Sequence, residues 1–180
     1  MFLYENIDTR REKPILLLNK PTIKRDEEIT FYKYSNTMIK QMKKDIKNNV
    51  KFFCCSDRCR QYFRSVLTNI VNIDNLDKTQ KGEIFKYLKS SDEEKIMINL
   101  ENVIIYSGFT TPEKINTQEW KNKYIFCTPT ILYGIDYNFN LTHKVYSFNY
   151  GGTLNALQIN QQIARIRNPI NINIYTEEKS

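Results

Sequence analysis

The stretch Val50–Leu67, VKFFCCSDRCRQYFRSVL, decides the fold. Its first six residues are nearly unbroken apolar sequence, the pattern of a strand covered on both faces. Ser56 follows where a helix N-cap belongs. Beyond it Cys59, Tyr62, Phe63, Val66 and Leu67 recur at helical spacing, with Arg58, Arg60, Gln61 and Arg64 on the other side. Strand, turn and amphipathic helix together make the unit from which parallel sheets are built.

The same pattern extends in both directions. Downstream, Val103–Tyr106 (VIIY), Tyr124–Cys127 (YIFC), Lys144–Phe148 (KVYSF) and Asn171–Tyr175 (NINIY) read as further strands. Helices are expected around Lys81–Lys89, from Thr111-Pro112 toward Trp120, and from Thr153 to about Arg167, where Asn168-Pro169 ends the last one. Upstream, residues 1–12 are polar and read as loosely held. Pro14–Leu18 and Ile29–Tyr34 read as short strands, and Ser35 is placed to cap a basic helix over Asn36–Lys47. The Lys/Asn tract around residues 43–51 is expected to top that helix rather than form a tail. Strands alternating with helices predict an α/β sandwich around a mostly parallel sheet. The expected division is a lead-in over residues 1–49 and an α/β domain over 50–180.

Composition sets outer limits. The 180 residues are 41% hydrophobic and 13% aromatic, which excludes a disordered or fibrous chain. No apolar run approaches the roughly 18 residues a membrane span needs. The amino-terminal MFLYENIDTRREK carries charges where a signal peptide needs apolar residues, so secretion is not expected. The net charge is +7, but heavy use of Lys, Asn, Ile, Tyr and Phe is what an AT-rich coding sequence imposes. Charge alone therefore permits a nucleic-acid partner without demanding one. Cys54, Cys55, Cys59 and Cys127 do not form a secreted disulfide pattern, and a zinc site would need four ligands where the only histidine is His143. Reduced cysteines serving as small buried hydrophobes fit better, with an intracellular, reducing compartment and no structural metal expected. None of the five glycines precedes a Lys-Ser or Lys-Thr pair, so the chain has no Walker phosphate loop of its own.

In a parallel sheet, function gathers on loops leaving the carboxyl ends of the strands. Here those loops are Ser56-Asp57-Arg58, Ser107-Gly108-Phe109-Thr110, Thr128-Pro129-Thr130 and Asn149-Tyr150-Gly151-Gly152-Thr153. Hydroxyls, glycines and strand-to-helix turns aim N–H donors at anions, although the same groups serve as ordinary turns and caps. On the helix after Gly152, Ala156, Ile159, Ile163 and Ile166 share one stripe. Gln158, Gln161, Gln162 and Arg165 fall opposite, presenting amides and a guanidinium. Arg167 would lie near the apolar stripe if the helix reached it.

These residues carry a resemblance. Thr128-Pro129-Thr130-Ile131-Leu132-Tyr133-Gly134-Ile135-Asp136 resembles helicase motif V, a Thr, five residues and Gly-Ile-Asp after a core strand. Gln161-Gln162-Ile163-Ala164-Arg165-Ile166-Arg167 resembles motif VI, and Val50–Ser56 is similar to motif IV. Ser107-Gly108 stands where such helicases carry a turn that contacts nucleic acid. Order and spacing resemble the second RecA-like domain of superfamily 2 helicases. Within that superfamily, the run from Glu119-Trp120 through YIFCTPTILYGIDYN to KVYSFNY and QQIARIR is most similar to the herpesvirus-type replication-origin-binding helicases and their relatives in large DNA viruses. The likeness covers about residues 50–175. Ala164 departs from a common Gly, and Asn168 from a common second Arg.

The resemblance implies a RecA-like, P-loop NTPase-like three-layer sandwich. It implies one half of an ATP-dependent DNA helicase, working at a viral replication site or in host cytoplasm or nucleus. Arg165 is the first choice for the arginine finger and Arg167 the second. Gly134, Asp136, Gln161 and Gln162 would couple the nucleotide cleft to nucleic acid, and Ser56, Ser107, Gly108 and Thr128 would hold backbone phosphates. ATP and Mg²⁺ would bind only together with a first RecA-like domain, supplied in cis or in trans, so the chain alone should not hydrolyse ATP. Two other functions fit the residues. One is a stand-alone helicase-like module binding nucleic acid or protein; the other is an unrelated doubly wound domain binding a nucleotide or sugar phosphate.

Overall fold

A computed structural model describes residues 28–91, 98, 100–107, 115–129, 137, 143–150 and 169–177, the backbone of 3–5 and 16–18, and Ile159, Gln161, Ile163, Ala164 and Ile166. Two short strands, β1 (Leu3–Glu5) and β2 (Leu16–Leu18), pair antiparallel as a separate ribbon. Leu3–Glu5 lies in a segment whose polarity gave no strand signal. The main sheet contains β3 (Glu28–Tyr32), β4 (Lys51–Cys55), β5 (Val103–Tyr106), β6 (Tyr124–Cys127), β7 (His143–Asn149) and β8 (Asn171–Thr176). Their order is β3-β8-β7-β4-β6-β5, and every neighbouring pair is parallel. The protein is thus an α/β fold on a six-stranded all-parallel sheet.

The unbroken apolar strands have their physical explanation in two cores. Alternate side chains of a strand point to opposite faces. Phe52, Cys54, Tyr124, Phe126, Tyr146 and Phe148 enter one core, and Phe53, Cys55, Ile125, Cys127 and Val145 the other. On the first face lie α1 (Ser35–Lys47), α2 (Cys59–Ile70) and α3 (Lys78–Lys89), packed through Met38, Met42, Tyr62, Phe63, Ile84 and Tyr87 among others. Phe52 sits at the centre, its ring centroid 5.1 Å from Tyr124 and 5.2 Å from Tyr146. On the second face Phe53 meets Trp120 at 5.2 Å and Tyr137 at 5.1 Å, and Ile163 and Ile166 join them.

The segment read as a lead-in supplies an edge strand and a covering helix to this sheet. β3 runs in register with β8 from Glu28↔Asn171 to Tyr32↔Tyr175, and α1 buries Met38, Met42, Asp45 and Ile46. Both expected serine caps need correction. α1 begins at Ser35 itself, with Tyr34 in the cap position and no side-chain cap. Ser56 does not cap α2: the cap position is Arg58, whose N–H donates to Ser56 Oγ at 3.1 Å in a local turn. α3 starts at Lys78, earlier than its apolar spacing indicates. There Asp77 and Gln80 form a reciprocal capping box, Gln80 N–H to Asp77 Oδ1 at 2.8 Å and Asp77 N–H to Gln80 Oε1 at 3.2 Å.

The helix expected from Thr111 has its start outside the described residues; a 3-10 turn at Thr117–Trp120 leads into β6. Of the helix after Thr153, Ile159, Gln161 and Ile163 are helical, with Ile163 buried and Gln161 exposed, as the stripe requires. It stops earlier than Arg167. Ala164 is a turn, and Ile166 instead bridges Tyr137 in parallel.

Candidate functional site

α2, which follows β4, packs on the first face, while Ile159 and Ile163, which come after β7 in the chain, pack on the second. β4 and β7 are adjacent and parallel, with Cys55 opposite Ser147. In an open α/β sheet, neighbouring strands whose following helices pack on opposite faces have the usual ligand crevice outside their carboxyl ends.

Two pairings cross this point. The Arg58 guanidinium lies 4.0 Å from the Tyr150 ring centroid, and one turn deeper Tyr62 stacks on Phe148 with centroids 3.7 Å apart. Asn149 anchors the β7 end: its amide NH2 donates to Ser147 Oγ at 3.1 Å and to the Tyr175 carbonyl at 3.3 Å, while its own carbonyl accepts the Glu177 N–H at 2.9 Å. Burial pushes the Tyr150 phenol up in pKa, and the Arg58 charge works against that shift. Among the described residues, Arg58 thus brings to the crevice an exposed guanidinium held by an aromatic face.

Three of the expected phosphate-holding residues stand in a row. Cys55 pairs with Cys127, and Cys127 with Tyr106, so Ser56, Thr128 and Ser107 are each the first residue beyond β4, β6 and β5. Neighbouring strands lie about 4.8 Å apart, so the row spans roughly 10 Å. Hydrogen bonds continue the ladder into it: Ser56 N–H donates to the Cys127 carbonyl at 3.0 Å, and Thr128 N–H to the Tyr106 carbonyl at 3.1 Å. Ser56 and Ser107 are buried and Thr128 half-buried. The backbones of Ser56 and Thr128 are thereby fixed to the sheet.

Gln161 is exposed on its helical turn, on the side away from buried Ile163. Arg165, Arg167, Gly134, Asp136, Gln162 and Gly108 lie outside the described residues. Among the described residues no group of three His, Cys, Asp or Glu is placed to hold a metal. Cys54 and Cys55 face opposite cores and cannot converge on one ion. All four cysteines are buried free thiols. The Cys127 thiol is pushed well up by its hydrogen bond with Cys55 and by burial, and that of Cys54 by burial. His143 sits at the start of β7 between Phe53 and Tyr137, its Nε2 3.0 Å from the Lys123 carbonyl. Burial lowers its pKa and keeps the ring neutral, at the opposite end of the sheet from the crevice.

Sequence reasoning named the Arg58 and Tyr150 loops but not their pairing, which needs β4 and β7 to be neighbours. It also placed Arg60 and Arg64 on a free polar side. Both lie by Tyr87 of α3, their guanidinium carbons 5.8 and 5.2 Å from its ring centroid, and Arg64 donates to the Ser91 carbonyl at 2.8 Å. Compared with protein-family profiles, curated proteins and solved structures, the chain finds no match.

Proposed function

We propose that this chain is the second RecA-like lobe of a superfamily 2 helicase of the replication-origin-binding type, acting on nucleic acid together with a first lobe that carries the phosphate loop. One observation carries the reading. Ser56, Ser107 and Thr128 follow three different strands, yet stand in one row along the carboxyl edge of an all-parallel sheet. Half-buried Thr128 is the member of the row open to a backbone phosphate, while buried Ser56 and Ser107 set where the loops beside it leave the sheet, an arrangement suited to grip without sequence readout. The Gly-Ile-Asp and Gln-to-Arg motifs supply the rest of the argument from sequence.

ATP is the substrate of the paired lobes, and the first lobe holds its phosphates and Mg²⁺. This chain contributes guanidinium, Arg165 first and Arg167 second, to the charge that develops on the transferring phosphoryl group. Arg suits this role because its planar fork holds two phosphate oxygens together. Asp136 and Gly134 link that cleft to the nucleic-acid row.

The absence of Lys-Ser or Lys-Thr after any glycine favours one second reading, a stand-alone helicase-like module that binds nucleic acid or protein without hydrolysing ATP. Both readings expect the purified chain to be inactive as an ATPase. Turnover by the 180-residue chain alone, abolished by Arg165→Ala, would overturn both. They separate on Arg165→Ala in the longest natural reading frame, which is silent for the module and disabling for the helicase.

A further inference from the structure

The Lys/Asn tract of the sequence finds no use in the crevice. Lys40, Lys43, Lys44 and Lys47 recur on α1 at a spacing that places them on one stripe, opposite the buried Met38, Met42, Asp45 and Ile46. The only carboxylate of α1, Asp45, is buried against Lys144 and Tyr146, so it neutralises none of them. Lys43, Lys44 and Lys47 line one side of a groove of about 680 Å³ between the C-terminal ends of α1 and α2; the other side carries Thr68, Asn69 and Asn72 beside half-buried Ile70 and Ile73 and buried Val71. Asp74 is its one carboxylate among the described residues. α1 ends just before β4 begins and α2 begins just after β4 ends, so the groove lies at the amino end of the sheet, away from the row at Ser56.

We infer that this groove is a second nucleic-acid contact, in which the three lysines grip the phosphodiester backbone. Charge complementarity carries the assignment. Two lysines in the last turn of α1 suffice to balance its helix dipole. The three groove lysines span four residue steps of α1, about 6 Å at 1.5 Å per residue, so they face neighbouring phosphates along a strand. Thr68, Asn69 and Asn72 add hydrogen-bond donors beside the charges, a mixture suited to phosphate and sugar oxygens. A membrane surface fits less well. The exposed positions of α1 are Asn36, Thr37, Lys40, Lys44 and Lys47, with no apolar side chain to insert into a bilayer. The groove is argued from charge and shape, so it stands or falls separately from the helicase reading.

The test is fluorescence anisotropy of the full chain with a labelled single-stranded oligodeoxynucleotide across a salt series. The variants are K43Q/K44Q/K47Q in the groove and K78Q/K86Q/K89Q at exposed positions of α3, which remove the same charge elsewhere. Each phosphate neutralised contributes roughly 0.7 to the slope of log K against log salt on a single strand. The groove variant should therefore lose about 2 units of slope, the α3 variant much less, with helical circular dichroism preserved in both. Lys44→Gln alone, at an exposed position, should lose roughly 0.7 and stands in if the triple variant unfolds. Equal losses from groove and α3 variants would reduce the effect to net charge and overturn the proposal. So would an unchanged groove slope, or groove-dependent binding to phosphatidylserine vesicles that the oligonucleotide does not displace. Failure of the Arg165→Ala ATPase test would leave this slope difference standing, so the two readings fail separately.

Discussion

Replacing Asp45 with alanine tests whether α1 is built into the sheet or merely precedes it. The carboxylate is 2% exposed. Its Oδ1 accepts from Gln41 Nε2 at 3.0 Å and from Lys144 Nζ at 3.0 Å, and its Oδ2 accepts the Tyr146 hydroxyl. Lys144 and Tyr146 belong to β7, some hundred residues away in sequence. Breaking a fully buried ion pair costs about 3–5 kcal/mol. Lys144 keeps 21% exposure and recovers some water, which moves the estimate to the low end. The orphaned Tyr146 hydroxyl, fully buried, costs about 1–3 kcal/mol of that total. Asp45→Ala should therefore destabilise by about 3 kcal/mol, and Asp45→Asn, which keeps an acceptor for Tyr146, by about 1–2 kcal/mol. Urea denaturation with an unchanged m-value measures it, and a double-mutant cycle with Tyr146→Phe should show a coupling of about 1–2 kcal/mol. A loss below about 1 kcal/mol, or additive single effects, would refute the claim that this carboxylate ties α1 to β7.

Three further outcomes follow from the structure. Gly82 lies exposed within α3, and a Cβ added there meets nothing within 4 Å; Gly82→Ala should stabilise by about 0.5–1 kcal/mol, and a loss would show that α3 is not helical at that point in solution. Burial raises the pKa of Tyr32, Tyr106, Tyr124 and Tyr146. Folding thus favours the neutral phenols, a stabilisation whole below the unfolded value near pH 10 and lost as pH rises through the raised folded values. Thermal midpoints should fall above about pH 10, less steeply in Tyr146→Phe, and a flat alkaline profile would contradict the buried placement. His143 has the opposite sign: its pKa is lowered by burial, so its contribution is present above about pH 6.5 and lost as pH falls through the folded value.

Strands that need only two covered faces announce themselves locally, which is why VKFFCC, VIIY and YIFC read correctly as core. Features that depend on who the neighbours are did not. Asp45 sits in a lysine-rich tract with nothing local to single it out, yet it is buried where β7 places Lys144 and Tyr146 against it. Ser56 does make a cap-type bond, its Oγ accepting the Arg58 N–H, but in a turn that precedes α2, two residues before the helix's own cap position at Arg58. Arg60 and Arg64 occupy the polar arc of α2, and α3 then covers that arc with Tyr87. At the site, the hydroxyl at the end of each strand was legible. Their alignment was not, because the order β4-β6-β5 differs from chain order.

The central claim is that Arg165 completes an ATPase whose phosphate loop lies on another lobe. The measurement that tests it most directly is nucleic-acid-stimulated ATP hydrolysis by the longest natural reading frame containing this chain, wild type against Arg165→Ala. An arginine finger contributes roughly 10³–10⁵-fold to the rate, and a loss of that size with unchanged oligonucleotide binding is the expected result. Hydrolysis that proceeds at the same rate without the Arg165 guanidinium would contradict the account.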